Sequence, residues 1–204
     1  MLEIGPIILR AWEKRDLEDV HRWENDFDVM LYSRGKPHNM VSYENVVDYY
    51  EEERKNERRL HYIIVLKERD ENIGTAVIRL KDWSFVKTGS LGTYLDKKYW
   101  NRGIGKIVTL ALLEISFIFL NLDRCEAGSI EYNKRAHKVL QDCGFKFVGR
   151  HRKSGYVFGR KWDWYFFDIL KEEYLAQREE LIKKLIGKEA EDYLKRVSFT
   201  ELKG

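Results

Sequence analysis

The spacing of apolar residues changes several times along this chain, and each change predicts an element. Pro6 to Trp12 reads as a first strand. Asp16 is placed to cap a helix running to Glu24. Ser42 is placed to cap another, because Ser-Tyr-Glu-Asn leads into VVDYYEEERK. The period then shortens. HYIIVLKE and NIGTAVIRL are β-rich runs split by Arg69-Asp70-Glu71, the pattern of a hairpin, and TGSLGTYLD continues the series as a third strand.

From Val108 the apolar positions 111, 112, 115, 118, 119 and 122 follow helical spacing. The other faces of this segment are mostly apolar too, so the helix is predicted to be central and covered by other elements. RCEAGSI reads as a short strand, and NKRAHKVLQDC as a helix stopped by Gly144 in a left-handed conformation. FKFVGRH and YVFGRKWDWYFFDIL read as two more strands. From Lys171 the chain is helical and highly charged, with Gly187 dividing it. Strands mixed with two central helices imply an α/β (α+β) fold with one mixed sheet of about seven strands.

Composition narrows the function classes. With 204 residues and 44% apolar content, one domain with an appendage is expected: residues 1–170 as the domain and 171–204 as a charged helical extension. Net charge is only +3, which gives no global pull toward nucleic acid. The basic runs KRAHK and RHRK read as local patches. Cys125 and Cys143 are too few for a disulfide framework and read as reduced cytosolic thiols, so a cytoplasmic location is expected. The N-terminal MLEIGPIILR lacks the basic start and small-residue cleavage site of a signal peptide. The longest apolar stretch, Ile104 to Leu122, carries Lys106 and Glu114 and begins at a basic glycine turn, which argues against a membrane span. No metal-binding pattern stands out.

That turn carries the candidate chemistry. In KKYWNRGIGK, Gly103 and Gly105 alternate with Arg102, Ile104 and Lys106 just before the buried helix. The first N–H groups of a helix lack internal partners and its dipole makes that end positive. Glycine lets a phosphate approach the backbone closely. A Walker A loop would need glycine at Trp100 and a hydroxyl at Ile107, and a dinucleotide fingerprint would need glycine at Val108. Both patterns fail.

YWNRGIGK resembles the pyrophosphate loop of the GNAT superfamily of acetyl-CoA-dependent N-acetyltransferases, with Gly103 and Gly105 at its two small positions. Trp100 departs from the general Gln/Arg start but is usual in the RimJ/RimL-like branch. NKRAHKVLQDCGF resembles the family's second segment through Asn133, Ala136, Gly144 and Phe145. WENDFDVMLY and GRKWDWYFFDILKEEY resemble that branch's early and closing segments, so the likeness runs from about residue 7 to residue 175.

The resemblance implies acetyl-CoA as cofactor and transfer of its acetyl group to a primary amine. Backbone N–H groups from Asn101 through Arg102, Gly103, Ile104 and Gly105 to Lys106 would hold the pyrophosphate. The strand ending at Leu95 would splay from its neighbour, and the Leu95 N–H would stabilise the oxyanion. Asn133 would bond the cofactor arm or a water, or simply cap its helix. Arg135 and Lys138, with Lys134, are candidates for the 3′-phosphate or a solvated face. Two familiar general acids are missing: the usual Tyr position holds Leu140, and the branch's Ser position holds Ala136. Tyr165 or water is then the candidate acid, while His137 is expected to be exposed. Candidate bases are Glu24, Asp26, His38 and Glu131. Residues of the closing segment, with Tyr32 and Trp83, are candidates for the acceptor wall.

The acceptor implied by the branch is a protein or peptide α-amino group. A polyamine, amino sugar or antibiotic is the alternative, and a CoA-binding sensor or interaction module without turnover is the rival of another class. Leu175, Ile182, Leu185 and Ile186 would either dock the extension on the domain or form a dimer seam, so a monomer or homodimer is expected.

Overall fold

The computed structural model describes residues 1–34, 39–81 and 85–198, so His38 and Trp83 lie outside the described residues. Among the described residues one sheet has eight strands in the order β1-β2-β3-β4-β5-β6-β8-β7. They are β1 (Leu2–Ile4), β2 (Ile7–Ala11), β3 (Arg59–Leu66), β4 (Glu71–Leu80), β5 (Thr88–Leu95), β6 (Arg124–Ile130), β7 (Lys146–Val157) and β8 (Arg160–Leu170). Neighbours are antiparallel except β5 and β6, which run parallel. The mixed sheet is as expected, with one strand more. The added strand is β1, whose three residues are too few to show an alternation.

Among the described residues seven α-helices flank the sheet: α1 (Leu17–Glu24), α2 (Phe27–Arg34), α3 (Tyr43–Glu53), α4 (Ile104–Leu113), α5 (Lys134–Asp142), α6 (Lys171–Ile186) and α7 (Ala190–Val197). Ser42 caps α3 as expected, accepting from the Asn45 N–H. Asp16 precedes α1 but makes no side-chain cap bond to it. Its carboxylate instead grips Arg10 at 2.6 and 2.8 Å, Asn72 at 3.2 Å and the Glu13 N–H at 2.9 Å. Burial works against ionisation there, yet these donors hold the Asp16 carboxyl below its ordinary pKa.

The last hairpin turns at a different place from the expected one. Arg152 to Gly155 looked like the break, but β7 passes through it with a register shift between His151 and Gly155. The turn is Phe158-Gly159, with φ of 52° and 72°, the two left-handed residues of a type I′ hairpin.

The alternation of β3 shows how two cores arise from one strand. Ile63 and Val65 join Leu17, Val20 and Trp23 of α1 and Val46 of α3 in one cluster. Ile64 and Leu66 face the other way, into the main core around α4. α4 is buried almost all round, as its composition predicts, and continues as a π-helical stretch over Glu114–Phe119. α6 and α7 are part of that same core through Tyr174, Leu181, Ile182, Ile186, Ala190 and Tyr193. The extension therefore docks on the domain, while Leu175 stays exposed. At its centre Glu114 is fully buried, paired with Arg178 at 2.6 and 2.7 Å and hydrogen-bonded by Tyr174 and Tyr193.

Candidate active site

The site begins where two strands stop pairing. β5 and β6 are in register only from Thr88–Arg124 to Leu91–Ala127. Beyond that, Gly92 to Leu95 pair with β4 alone, and Gly128 to Ile130 pair with β8 alone. The sheet is therefore open between β5 and β6 at this end. Asp96 donates its N–H to Ile73 O at 2.9 Å, on the β4 side. Strand N–H groups alternate in direction, so that of Leu95 turns toward the opening. The Leu95 carbonyl also faces away from β4 and accepts from Trp100 Nε1 at 2.9 Å.

The chain then enters the glycine turn. Asn101 (φ 58°) and Gly103 (φ 79°) are both left-handed, a conformation that Gly103 adopts without strain. Nothing lies within 4 Å of where a Gly103 Cβ would be. Lys106 N–H bonds back to Gly103 O at 3.0 Å, which leaves the preceding N–H groups at the mouth of α4. Gly105 is more telling. A Cβ there would meet only Val139 Cγ2, at 3.5 Å, an ordinary contact. The protein's own packing does not demand glycine at 105, where a methyl would rest on Val139, while the space beside Gly103 is open to a ligand that needs the backbone close. This is the fit expected for a diphosphate.

The cations around the turn are less free than the sequence implied. Lys106 pairs with Asp142 at 2.7 Å, and Lys138 pairs with the same carboxylate at 2.6 Å. Those two ammonium groups hold the Asp142 carboxyl down at about 2. Arg102 lies 5.6 Å from the Tyr99 ring centre. Arg135 sits between the rings of Trp100 and Tyr32, at 4.0 and 4.5 Å. Trp100 thus has a structural task, tying the end of β5 to α5. Asn133 is engaged at both ends of its amide: its Oδ1 accepts from Ala136 N–H at 3.1 Å, and its Nδ2 donates one N–H to Tyr32 O at 3.0 Å. The cap reading is the one its contacts support. Tyr32 belongs to this cluster and does not line the pocket described next.

On the face of the sheet under α1 and α3 lies a pocket of about 390 Å³. Glu24 and Tyr94 meet there, the Tyr94 hydroxyl donating to Glu24 Oε1 at 3.1 Å. Trp164 and Phe166 from the closing strand form part of the wall, as expected of that segment. The alternation of β8 puts Tyr165 on the opposite face, stacked on His137 with ring centres 5.1 Å apart. Tyr165 is therefore not brought together with Glu24. His137, expected to be exposed, is buried beneath α5, and its Nε2 is unpartnered. Burial lowers its pKa and keeps it neutral. Asp26 accepts from the Asp28 N–H and pairs with Lys97, and Glu131 accepts from the Asp163 N–H. Neither lines the pocket, so among the described candidate bases Glu24 is the one that does.

Tyr94 and Arg79 were not singled out from sequence. Their signal was present in strand alternation, which sets Arg79 opposite Ser90 and Tyr94 opposite Thr75 on one face. Among the described residues no helix is long and apolar enough to cross a membrane, and no cluster of metal-ligating side chains occurs.

Comparison with known proteins agrees with this geometry. Residues 7–146 match the GNAT acetyltransferase domain family. An uncharacterised N-acetyltransferase, p20, of Bacillus licheniformis is 27% identical over 82% of this chain and 94% of its own length. A spermidine N(1)-acetyltransferase of Vibrio cholerae is 21% identical over 85% of this chain and 98% of its own. The crystal structure of the Vibrio cholerae spermidine N-acetyltransferase with CoA and spermine superposes with a TM-score of 0.77 at 20% identity, covering 83% of this chain and 98% of that one. A GNAT-family acetyltransferase structure from Bacillus anthracis gives 0.71 at 23% identity over 84% of this chain and 98% of that one. An opened β5–β6 pair, a glycine turn at the head of a buried helix and a family match across most of the chain converge: this protein belongs to the GNAT acetyltransferase family and is an N-acetyltransferase that uses acetyl-CoA.

Proposed function

We propose that the acceptor is the α-amino group of a peptide or protein, seated between α1 and the open end of β5. The observation that carries this is the lining of the pocket. Glu24 and Glu126 are matched by Arg79 and Lys81, and Lys81 already pairs with Glu126. A polyamine acceptor, several positive charges on one chain, would favour an acidic wall. The small-amine reading is supported by the Vibrio cholerae relative named for spermidine and by the likeness to the Vibrio cholerae structure with CoA and spermine. The α-amine reading also agrees with the resemblance of WENDFDVMLY and YWNRGIGK to the RimJ/RimL-like branch.

Acetyl-CoA supplies an activated acetyl group. The chain supplies position and charge. N–H groups from Asn101 to Gly105 hold the diphosphate at the positive end of α4, the Lys106 N–H being used by Gly103 O. The Leu95 N–H meets the negative charge that develops on the carbonyl oxygen during attack. Glu24, held by the Tyr94 hydroxyl, takes the proton of the amine directly or through water. An α-amine has a pKa of about 8, so part of it is already neutral at pH 7 and the demand on Glu24 is modest. With Leu140 and Ala136 at the usual acid positions, water delivers the proton to the departing thiolate, whose pKa of about 8.5 makes this easy.

The test is thiol release with mass spectrometry of peptides bearing free or blocked α-amines. Acetylation should fall on the free α-amine. Glu24→Gln should lower kcat about 10²-fold at pH 7. The deficit should shrink as the pH passes about 8, where the amine deprotonates unaided. CoA affinity should be unchanged. Acetylation confined to spermidine or lysine side chains would remove the α-amine reading, and CoA binding without release for any amine would remove turnover.

A further inference from the structure

Arg79 projects from β4 into the acceptor pocket, and its surroundings are unusual for a strand arginine. Its cross-strand neighbour on β3 is Arg59. Like charges directly opposite one another on a sheet face are destabilising. Arg59 is relieved by Glu53 at 2.7 Å, and His61 takes the other oxygen of the same carboxylate at 2.8 Å. Glu126 is held by Lys81 and by Arg124 at 2.8 Å. No carboxylate among the described residues lies within ion-pairing distance of Arg79. The guanidinium rests against β5 where that strand has no side chain. A Cβ on Gly92 would come within 2.8 Å of its Nη1 and 3.5 Å of its Nη2. Gly92 thus makes the room that lets the planar fork lie across the pocket floor beside Tyr49 and Tyr94.

We propose that Arg79 is the residue that recognises the acceptor, receiving a carboxylate carried by the amine substrate. A guanidinium matches a carboxylate with two parallel hydrogen bonds. Its position also sets a length. Gly92 is three residues before Leu95, about 10 Å along a strand. A free amino acid holds its amine and carboxylate far closer than that. The fitting acceptor is a peptide with a carboxylate about 10 Å from its α-amine. That carboxylate comes either from the C-terminus of a tripeptide or from an acidic side chain near a protein's N-terminus. The inference rests on the transferase reading above and narrows its substrate.

The experiment compares matched twins on the full-length protein: Ala-Ala-Ala against its C-terminal amide, and a blocked-C-terminus peptide with Glu third against the same peptide with Gln third. Spermidine is run beside them. Thiol release gives kcat/KM, and calorimetry on the protein–CoA complex gives binding. The wild type should favour an acid over its neutral twin about 10- to 100-fold. Whichever pair shows the ratio identifies the source of the carboxylate. Arg79→Gln should collapse the ratio to about one, and Arg79→Lys, which keeps charge but not the fork, should restore part of it. Thiol release with equal rates for both twins, or with spermidine preferred to every acid, overturns the inference and leaves the transferase reading intact. Acid-selective binding that depends on Arg79 but yields no thiol sustains the inference and removes the transferase reading. Binding that is indifferent to the carboxylate in wild type and variant alike overturns it too.

Discussion

At the scale of single residues, Gly105 separates stability from function most cleanly. Its backbone is ordinary helix, and its missing side chain borders only Val139. Gly105→Ala should therefore raise the stability of the ligand-free protein by about 0.4–1 kcal/mol, through lower chain entropy in the unfolded state. On the proposed placement of the diphosphate at the mouth of α4, the same methyl group would crowd the approach to the backbone, so CoA should bind about tenfold more weakly. Thermal melting and calorimetry on one preparation read both effects. A variant neither stabilised nor weakened would show that the position answers to something else. Residues of this kind were legible in the sequence, because a glycine pair at the head of an apolar helix has few uses. Glu24 was legible only as one acid among several. What singles it out is the Tyr94 hydroxyl, contributed by a strand distant in sequence. Asn133 shows the converse: its spacing drew attention, and the contacts it makes within the protein are a cap and a tether to Tyr32.

At the scale of elements, the π-helical turn that extends α4 has a consequence for stability. It carries Glu114, a fully buried carboxylate whose oxygens meet Arg178 and two tyrosines from α6 and α7. Glu114→Ala would leave Arg178 half-buried without its partner. The expected loss is about 3–5 kcal/mol, a fall in Tm of about 6–20 °C. Replacing the whole network, Glu114→Leu with Arg178→Met, Tyr174→Phe and Tyr193→Phe, should recover most of it, since no polar group is then left unpaired and a buried ion pair is worth little more than good apolar packing. A single variant that melts with the wild type would mean that the C-terminal helices hold by apolar contact alone. The sequence announced α3, α4 and α5 because capping residues and unbroken spacing are local signals. It did not announce β1, which is too short to alternate, or α2, which no spacing marked. It misplaced the last turn because Lys153 and Gly155 form a bulge that has the composition of a turn.

At the scale of the whole molecule, the sheet is two pieces with a narrow seam. β1 to β5 form one antiparallel block and β6 to β8 another, joined by the short parallel stretch from Thr88–Arg124 to Leu91–Ala127. Past that stretch the two blocks diverge, with α4 packed on the first block and α5 and α6 on the second. A ligand that enters the opening completes the seam, so its binding energy is added to the cooperation between the blocks. CoA at 100 times its Kd should stabilise the protein by about 2.7 kcal/mol. For a chain of this size that raises Tm by about 5–11 °C. The amides of Thr93 and Leu95 and of Gly128 and Ile130, which by strand alternation face the seam, should become the most protected against hydrogen exchange relative to the free protein. Gly105→Glu, which places bulk and negative charge at the mouth of α4, should melt near the wild type without CoA and show no rise with it. Protection that appears at the helix mouth but not along the two free strand edges would mean that the diphosphate docks while the rest of the coenzyme stays outside the sheet. The opening between β5 and β6 would then not be the place where the acetyl group is delivered.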